Sequence, residues 1–149
     1  MFLKKRFLAF YEIFLSFKGT PHSLAVSMAM GVFVGVTPTI PFHTVAVALF
    51  GLLFRQNLAV AYLGSWVISN PLTIPFLYLS QYELGRLLLE MERCHFLLDE
   101  YSFGTIAQLG AEILAPLMIG GILMAPFLAL IAYVLSWRVI VVLRGKGEP

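Results

Sequence analysis

Polar side chains that could bind a ligand are few in this apolar chain, and four of them stand at two proline-rich interruptions. The interruptions are Thr37–Phe42, named the first break, and Asn70–Phe76, named the second break. Because proline lacks an N–H and disfavours α conformation in the residue before it, a regular helix cannot continue through either break. A helix that starts after such a break offers unpaired N–H groups and a partial positive charge, which suit a phosphate or carboxylate. The predicted chemistry is anion binding, and the candidate substrate-binding residues are Thr37, Thr39, His43, Arg55, Asn57, Asn70 and Thr73.

Each candidate also has a structural explanation, and the sequence leaves both explanations open. The threonines and Asn70 could cap the helices that follow the breaks, and Asn57 is expected to cap the next helix. Arg55 could bind a lipid phosphate or could only reach the headgroups and complement a helix C-terminus. His43 could be a buried neutral side chain or could couple a proton. Because no nucleophile–base pair, glycine-rich phosphate loop or metal-ligand cluster is evident, we expect neither an enzyme nor a cofactor.

The two breaks belong to a short internal repeat. With Leu72 as one inserted residue, the stretches that end at Phe42 and Phe76 share the pattern Gly-x-aromatic-Val-x-x-(Thr/Asn)-Pro-(x)-Thr-Ile-Pro-Phe. Short, proline-interrupted apolar segments at corresponding positions are typical of transporters that bind substrate between repeats. The similarity could reflect a duplication or chance.

Composition predicts that these elements lie in a membrane. The chain is 60% hydrophobic and only 12% charged, about half the ~25% charged residues of a soluble domain. Arg55 is the only formal charge from Gly19 to Tyr82, and Glu112 is the only one from Tyr101 to Trp137. We therefore predict an all-α, multi-pass integral membrane protein of one domain. The cations near both ends favour lipid headgroups over nucleic acid as partner, and a cytoplasmic N-terminus.

Four segments are predicted along the single domain, residues 1–149. Residues 1–18 form an interfacial amphipathic helix, residues 21–90 hold two broken-helix units, residues 91–103 are a polar amphipathic connector, and residues 104–143 form a C-terminal transmembrane block. A helix that begins after Thr20 and an amphipathic helix from Glu83 to Glu100, with Glu83 paired to Arg86, are also expected.

The path of the two units is not determined by sequence. The apolar halves around the first break are shorter than the ~20 residues that cross a bilayer, so each unit is either a broken crossing or a re-entrant hairpin. Two hairpins and one C-terminal crossing would place the termini on opposite faces, contrary to the cations at both ends. A full crossing in only one unit, or a helical hairpin in the C-terminal block divided at Pro116, Gly120-Gly121 or Pro126, would remove this conflict.

One run of motifs resembles a bacterial membrane family catalogued as domain of unknown function 2062. The motifs are Pro21-His22-x-Leu24-Ala25, Gly31-Val32-Phe33-Val34-Gly35, Pro38-x-x-Pro41-Phe42-His43-Thr44, Arg55-x-Asn57, Trp66-x-Ile68-x-Asn70-Pro71-x-Thr73-x-x-Phe76-x-Tyr78 and Tyr82-x-Leu84-Gly85. The family usually has glutamine in place of His43. Some members are fused to a sugar-nucleotide glycosyltransferase, so the resemblance implies a bacterial inner-membrane protein that works near lipid-linked sugars.

Three classes of function follow from these observations. The first is transport or flipping of an anionic, lipid-linked or small substrate, such as a polyprenyl phosphate, at the paired breaks. The second is a non-catalytic membrane module that anchors or assists an envelope glycosyltransferase. The third, a membrane-embedded enzyme, lacks catalytic groups. Transport is favoured, membrane lipids are the expected partners, and the sequence is compatible with a homo-oligomer.

Overall fold

The computed structural model describes residues 17–38, 42–92 and 103–145. These ranges form five α-helices and no strand, in agreement with the predicted all-α fold: α1 (Pro21–Val36), α2 (His43–Leu53), α3 (Leu58–Ile68), α4 (Ile74–Leu88) and α5 (Phe103–Gly145). Nearly all of the predicted interfacial helix, and residues 93–102 of the connector, lie outside the described residues.

Two predicted helix starts are confirmed by their capping bonds. The Thr20 hydroxyl accepts a hydrogen bond from the Ser23 N–H at 3.2 Å, and Pro21 occupies the first helical position. Asn57 Oδ1 accepts from the N–H groups of Ala59 and Val60 at 3.1 and 3.3 Å. Each cap satisfies N–H groups that have no partner inside the helix.

The C-terminal block is one continuous helix, so the alternative of a helical hairpin is wrong. α5 has 43 residues and passes through Pro116 and Pro126. Its length of about 65 Å exceeds the ~30 Å apolar core of a bilayer. Within it, Glu112–Gly145 is the one stretch of the described chain long and apolar enough to cross a membrane. Only 22% of its apolar window is buried, whereas the core helix of a soluble protein would be mostly buried.

The predicted amphipathic helix from Glu83 to Glu100 is wrong as a single element. α4 ends at Leu88, and Glu90 has φ +53°, which takes the chain out of the helix as C-terminal caps commonly do. The predicted pair is confirmed, since Arg86 and Glu83 form a salt bridge at 2.7 Å. The first charged residues of this segment therefore belong to the end of α4.

The first unit, α1 and α2, folds back on itself. α3 runs parallel to α1: Asn57 ahead of α3 donates its N–H to Ser27 Oγ at 3.0 Å, and Ser69 after α3 donates its hydroxyl to the Gly35 carbonyl at 2.6 Å. α2 runs antiparallel to α3, because His43 at its start contacts Ser65 near the end of α3. α2 therefore also returns alongside α1.

The long helix α5 runs antiparallel to α1. Near the start of α1, Leu24 packs with Ile140 in one buried cluster, and just beyond its end Pro38 lies against Gly121. A second buried cluster on the same interface contains Val32, Val36 and Ala125.

The second unit, α3 and α4, continues in one direction through its break. Along α4, the backbone of Gln81 approaches Gly120, and Gly85 approaches the Pro116 carbonyl. α4 is thus antiparallel to α5 and runs in the same sense as α1 and α3. The two repeats share a sequence pattern but differ in path.

Small residues allow these helices to approach backbone to backbone. A Cβ added to Gly31 would lie 1.9 Å from the Ala61 carbonyl oxygen, and one added to Gly64 would lie 2.4 Å from the Met28 carbonyl oxygen. These two glycines are equivalent in the repeat. Close contacts at small residues are a common way to pack helices in a membrane, where apolar burial drives association weakly.

Charges separate to the two ends of the described chain. One end, named the cationic end, is formed by the start of α1, the α2–α3 link and the end of α5, and it carries Lys18, Arg55, Arg138 and Arg144. The opposite end, where α4 ends and α5 begins, carries Glu83, Arg86, Glu90, Glu92 and Glu112. The breaks lie between these ends.

Candidate functional site

Thr37, the first residue of the first break, is bonded to the helix that precedes the break. The Thr37 N–H and hydroxyl both donate to the Phe33 carbonyl, at 3.1 and 2.9 Å, so Thr37 closes the end of α1. α2 begins after Phe42, and no side chain among the described residues caps it. The expectation that Thr37 caps the following helix is therefore wrong, and Thr39 lies outside the described residues.

Two partners from elsewhere in the fold satisfy carbonyls at the end of α1. The Ser69 hydroxyl donates to the Gly35 carbonyl, and Gln81 Nε2 donates to the Val36 carbonyl, both at 2.6 Å. Residues 35 and 36 precede the first break, whereas Ser69 directly precedes the second. The two breaks consequently begin side by side.

The second break is satisfied by its own side chains. Asn70 Oδ1 accepts from the N–H groups of Leu72 and Thr73 at 3.0 and 3.2 Å, and Asn70 Nδ2 donates to the Val67 carbonyl at 3.0 Å. The Thr73 hydroxyl donates to the Ile68 carbonyl. Both polar side chains predicted here are thus used to hold the turn.

The start of α4 has little left to offer an anion. Thr73 occupies the N-cap position but makes no side-chain capping bond. The Ile74 N–H already donates to the Asn70 carbonyl at 3.0 Å, and Pro75 has no N–H. In the first turn only Phe76 could direct a backbone donor toward a ligand.

The start of α2, in contrast, lies beside a cleft that contains several polar side chains. This cleft, of about 400 Å³, lies between α2 and α3 and is lined by His43, Thr44, Ala59, Tyr62, Leu63, Ser65, Trp66 and Ser69. The His43 Nε2 is hydrogen-bonded to the Ser65 hydroxyl, and the Tyr62 hydroxyl donates to the Thr44 carbonyl at 2.9 Å. The imidazole, the Thr44 and Ser65 hydroxyls and the first-turn N–H groups of α2 are neutral hydrogen-bonding groups, whereas the Tyr62 and Ser69 hydroxyls already donate to backbone carbonyls.

Arg55 and Asn57 do not line the cleft and lie at the opposite end of α2 from His43. The 11 residues of α2 separate them from His43, a distance of about 16 Å along a helix. Arg55 is exposed at the cationic end and has φ 52°, while Asn57 caps α3. Among the six candidates that the structure describes, Arg55 and Asn57 therefore lie apart from His43.

Three polar residues at the breaks were missed by sequence reasoning: Ser65, Ser69 and Gln81. Ser65 and Gln81 are buried, at 3% and 0% exposure. The sequence feature that could have identified them is a polar side chain within an apolar segment. Ser65 and Ser69 are also four residues apart and hence lie on one helical face. Across the described ranges, no group of three or more His, Cys, Asp or Glu residues could hold a metal ion.

In the residues that the structure describes, these features define an all-helical fold with a membrane-length C-terminal helix and a cleft beside a helix break. The chain belongs to a bacterial family described as "Uncharacterized protein conserved in bacteria (DUF2062)", whose sequence profile matches residues 4–147. The resemblance in the sequence motifs is thereby confirmed over nearly the whole chain. No curated protein and no solved structure matches it.

Proposed function

We propose that the protein is a multi-pass protein of the bacterial inner membrane with both termini on the cytoplasmic side. α3 and α4 together supply about 39 Å of helix and cross once, and α5 crosses back. α1 and α2 form a re-entrant hairpin that enters from the cytoplasmic side and returns. This path places the cationic end in the cytoplasm, as the positive-inside rule requires, and it removes the conflict over the two termini.

Within this topology, the protein moves a lipid with an anionic headgroup across the membrane by binding the headgroup in the cleft. The start of α2 beside the cleft, which no described side chain caps, is the observation that carries the proposal. First-turn N–H groups and the hydroxyls of Thr44 and Ser65 bind phosphate oxygens without placing a full charge at membrane depth. The second break, whose backbone groups are bonded by its own Asn70 and Thr73, serves as the fixed element beside the first break.

A pair of histidines provides a matched test of headgroup binding. His43 contacts the Ser65 hydroxyl in the cleft, and His22 is 2.8 Å from the Tyr133 hydroxyl at the cationic end. His43 orients the Ser65 hydroxyl, and a hydrogen bond from that hydroxyl to a charged phosphate contributes ~1.5–3 kcal/mol. His43→Ala is therefore expected to weaken binding of a polyprenyl phosphate by about 10- to 100-fold. Native mass spectrometry of the protein in nanodiscs, titrated with polyprenyl phosphate, measures this.

The control variants separate the cleft from general effects. His22→Ala should bind like the unaltered chain, and His43→Gln should retain most of the binding, since an amide also donates. An uncharged polyprenol should bind much more weakly than the phosphate. Equal affinity of the phosphate and the alcohol would overturn the headgroup site.

Transport itself is measured in proteoliposomes that contain a fluorescent lipid with a phosphate headgroup. Reduction by external dithionite reports how fast inner-leaflet lipid reaches the outside. We expect faster exchange with the unaltered protein than with His43→Ala. Binding without any exchange would instead favour the second hypothesis, a module that presents the lipid to an envelope enzyme.

A further inference from the structure

Gln81 is a fully buried amide at the meeting point of three helices. Its relative exposure is 0%, its Nε2 donates to the Val36 carbonyl at 2.6 Å, and its Oε1 has no hydrogen-bond partner among the described residues. A buried polar atom without a partner is costly. An apolar residue at this position would avoid that cost. The hydrogen bond from Nε2 to the Val36 carbonyl is therefore the interaction that offsets it.

Two glycines of α5 make room for Gln81 where α4 and the end of α1 meet. A Cβ added to Gly120 would lie 1.9 Å from the Gln81 carbonyl oxygen, and one added to Gly121 would lie 2.6 Å from Pro38 Cδ and 3.4 Å from Gln81 Oε1. α5 thus presents two glycines so that α4 and the end of α1 can meet. Neither Pro38, which has no N–H, nor the helical backbone of Gly121 can donate to Oε1.

We propose that Gln81 is the positioning residue of the first break. By holding the Val36 carbonyl against the α4–α5 pair, it fixes where α1 ends and hence where α2 begins and how far the cleft opens. Gln81 does not line the cleft and acts only through the hairpin. The proposal concerns the shape of the cleft that the proposed function uses, but it is tested without any ligand.

The test reports cleft access through a single cysteine. Thr44→Cys, in a Cys94→Ser background, places a thiol in the cleft, and its reaction rate with a water-soluble maleimide is measured in nanodiscs. We expect Gln81→Leu to change this rate severalfold, because the Val36 carbonyl loses its partner and the break relaxes. Ser80→Ala is the matched control: its hydroxyl bonds the Phe76 carbonyl within α4 at 2.8 Å, and the rate should not change.

Gln81→Glu keeps the test decisive if Gln81→Leu fails to fold. The protonated carboxyl can donate to the Val36 carbonyl as the amide does, whereas the carboxylate cannot. The Thr44→Cys rate should match the unaltered chain at about pH 5 and depart from it reversibly at about pH 9. Because burial can keep this carboxyl protonated at pH 9, Gln81→Met, which has similar length and no donor, is measured beside it. A rate equal to that of the unaltered chain in both variants, after correction for the free thiol, would overturn the positioning role. Lipid binding is a separate measurement, so failure here does not decide the proposed function.

Discussion

The first and second breaks have nearly the same residues and opposite structures. At the first, the chain reverses and α2 returns beside α1; at the second, α4 continues in the direction of α3. The carbonyls before the second break are bonded by its own Asn70 and Thr73, whereas those before the first break are bonded by Ser69 and Gln81 from other elements.

One substitution and one insertion distinguish the two breaks in sequence. Asn70 stands where the first repeat has Thr37, and an amide can donate and accept at the same time, whereas the Thr37 hydroxyl only bonds back to Phe33. The inserted Leu72 supplies one of the two N–H groups that Asn70 Oδ1 accepts. The second break thus bonds its own turn, whereas the first depends on neighbouring elements and is followed by a helix that no described side chain caps.

The largest expected effect concerns the close packing of α1 on α3 at Gly31 and Gly64, the glycines that the two repeats share. Gly31→Leu should lower the free energy of unfolding by about 3 kcal/mol or more, because even a Cβ at this position would lie 1.9 Å from the Ala61 carbonyl oxygen. Equilibrium unfolding in mixed micelles, followed by circular dichroism, measures the loss. Gly110→Ala is the control, since nothing lies within 4 Å of an added Cβ there. A fully stable Gly31→Leu variant would refute the close packing of α1 on α3.

A smaller effect should distinguish the two breaks from each other. Asn70→Ala removes three hydrogen bonds, and Thr37→Val removes one. We expect losses of about 2 and about 1 kcal/mol in the free energy of unfolding, measured in the same micelles. Asn70→Ala should leave polyprenyl phosphate binding unchanged once stability is restored by cooling. A loss of binding in the folded Asn70→Ala variant would place part of the ligand site at the second break.

The smallest effect concerns the cation outside both breaks. Arg55→Ala should weaken binding of anionic lipid by about fivefold at low salt, because one cation near a membrane surface contributes ~1 kcal/mol. At about 1 M salt the difference should vanish, since the Debye length falls to about 3 Å. The effect of His43→Ala in the cleft should persist at high salt. Equal salt dependence of the two variants, measured by vesicle co-sedimentation, would contradict the separation of Arg55 from the cleft.

Local signals allowed much of the fold to be predicted. The Thr20-Pro21 start, the Asn57 cap and the pairing of Glu83 with Arg86 are interactions between residues at most a few positions apart, so their chemistry is visible in the sequence. The C-terminal transmembrane block could also be predicted, from its low charge. Whether that block is one helix or a hairpin could not be predicted, because Pro116 and Pro126 are compatible with both, and the packing of neighbouring helices decides between them.

By itself, the sequence determined that the chain is helical, apolar and broken twice, since composition and the backbone limits of proline do not depend on context. The tertiary structure alone decided that one break reverses the chain and the other does not, because the carbonyls of the first are satisfied by Ser69 and Gln81, 34 and 45 positions away from the residues they bond. Contacts at that separation depend on how α1, α3, α4 and α5 pack. For the same reason the cleft beside His43 became visible only when α2 was placed against α3.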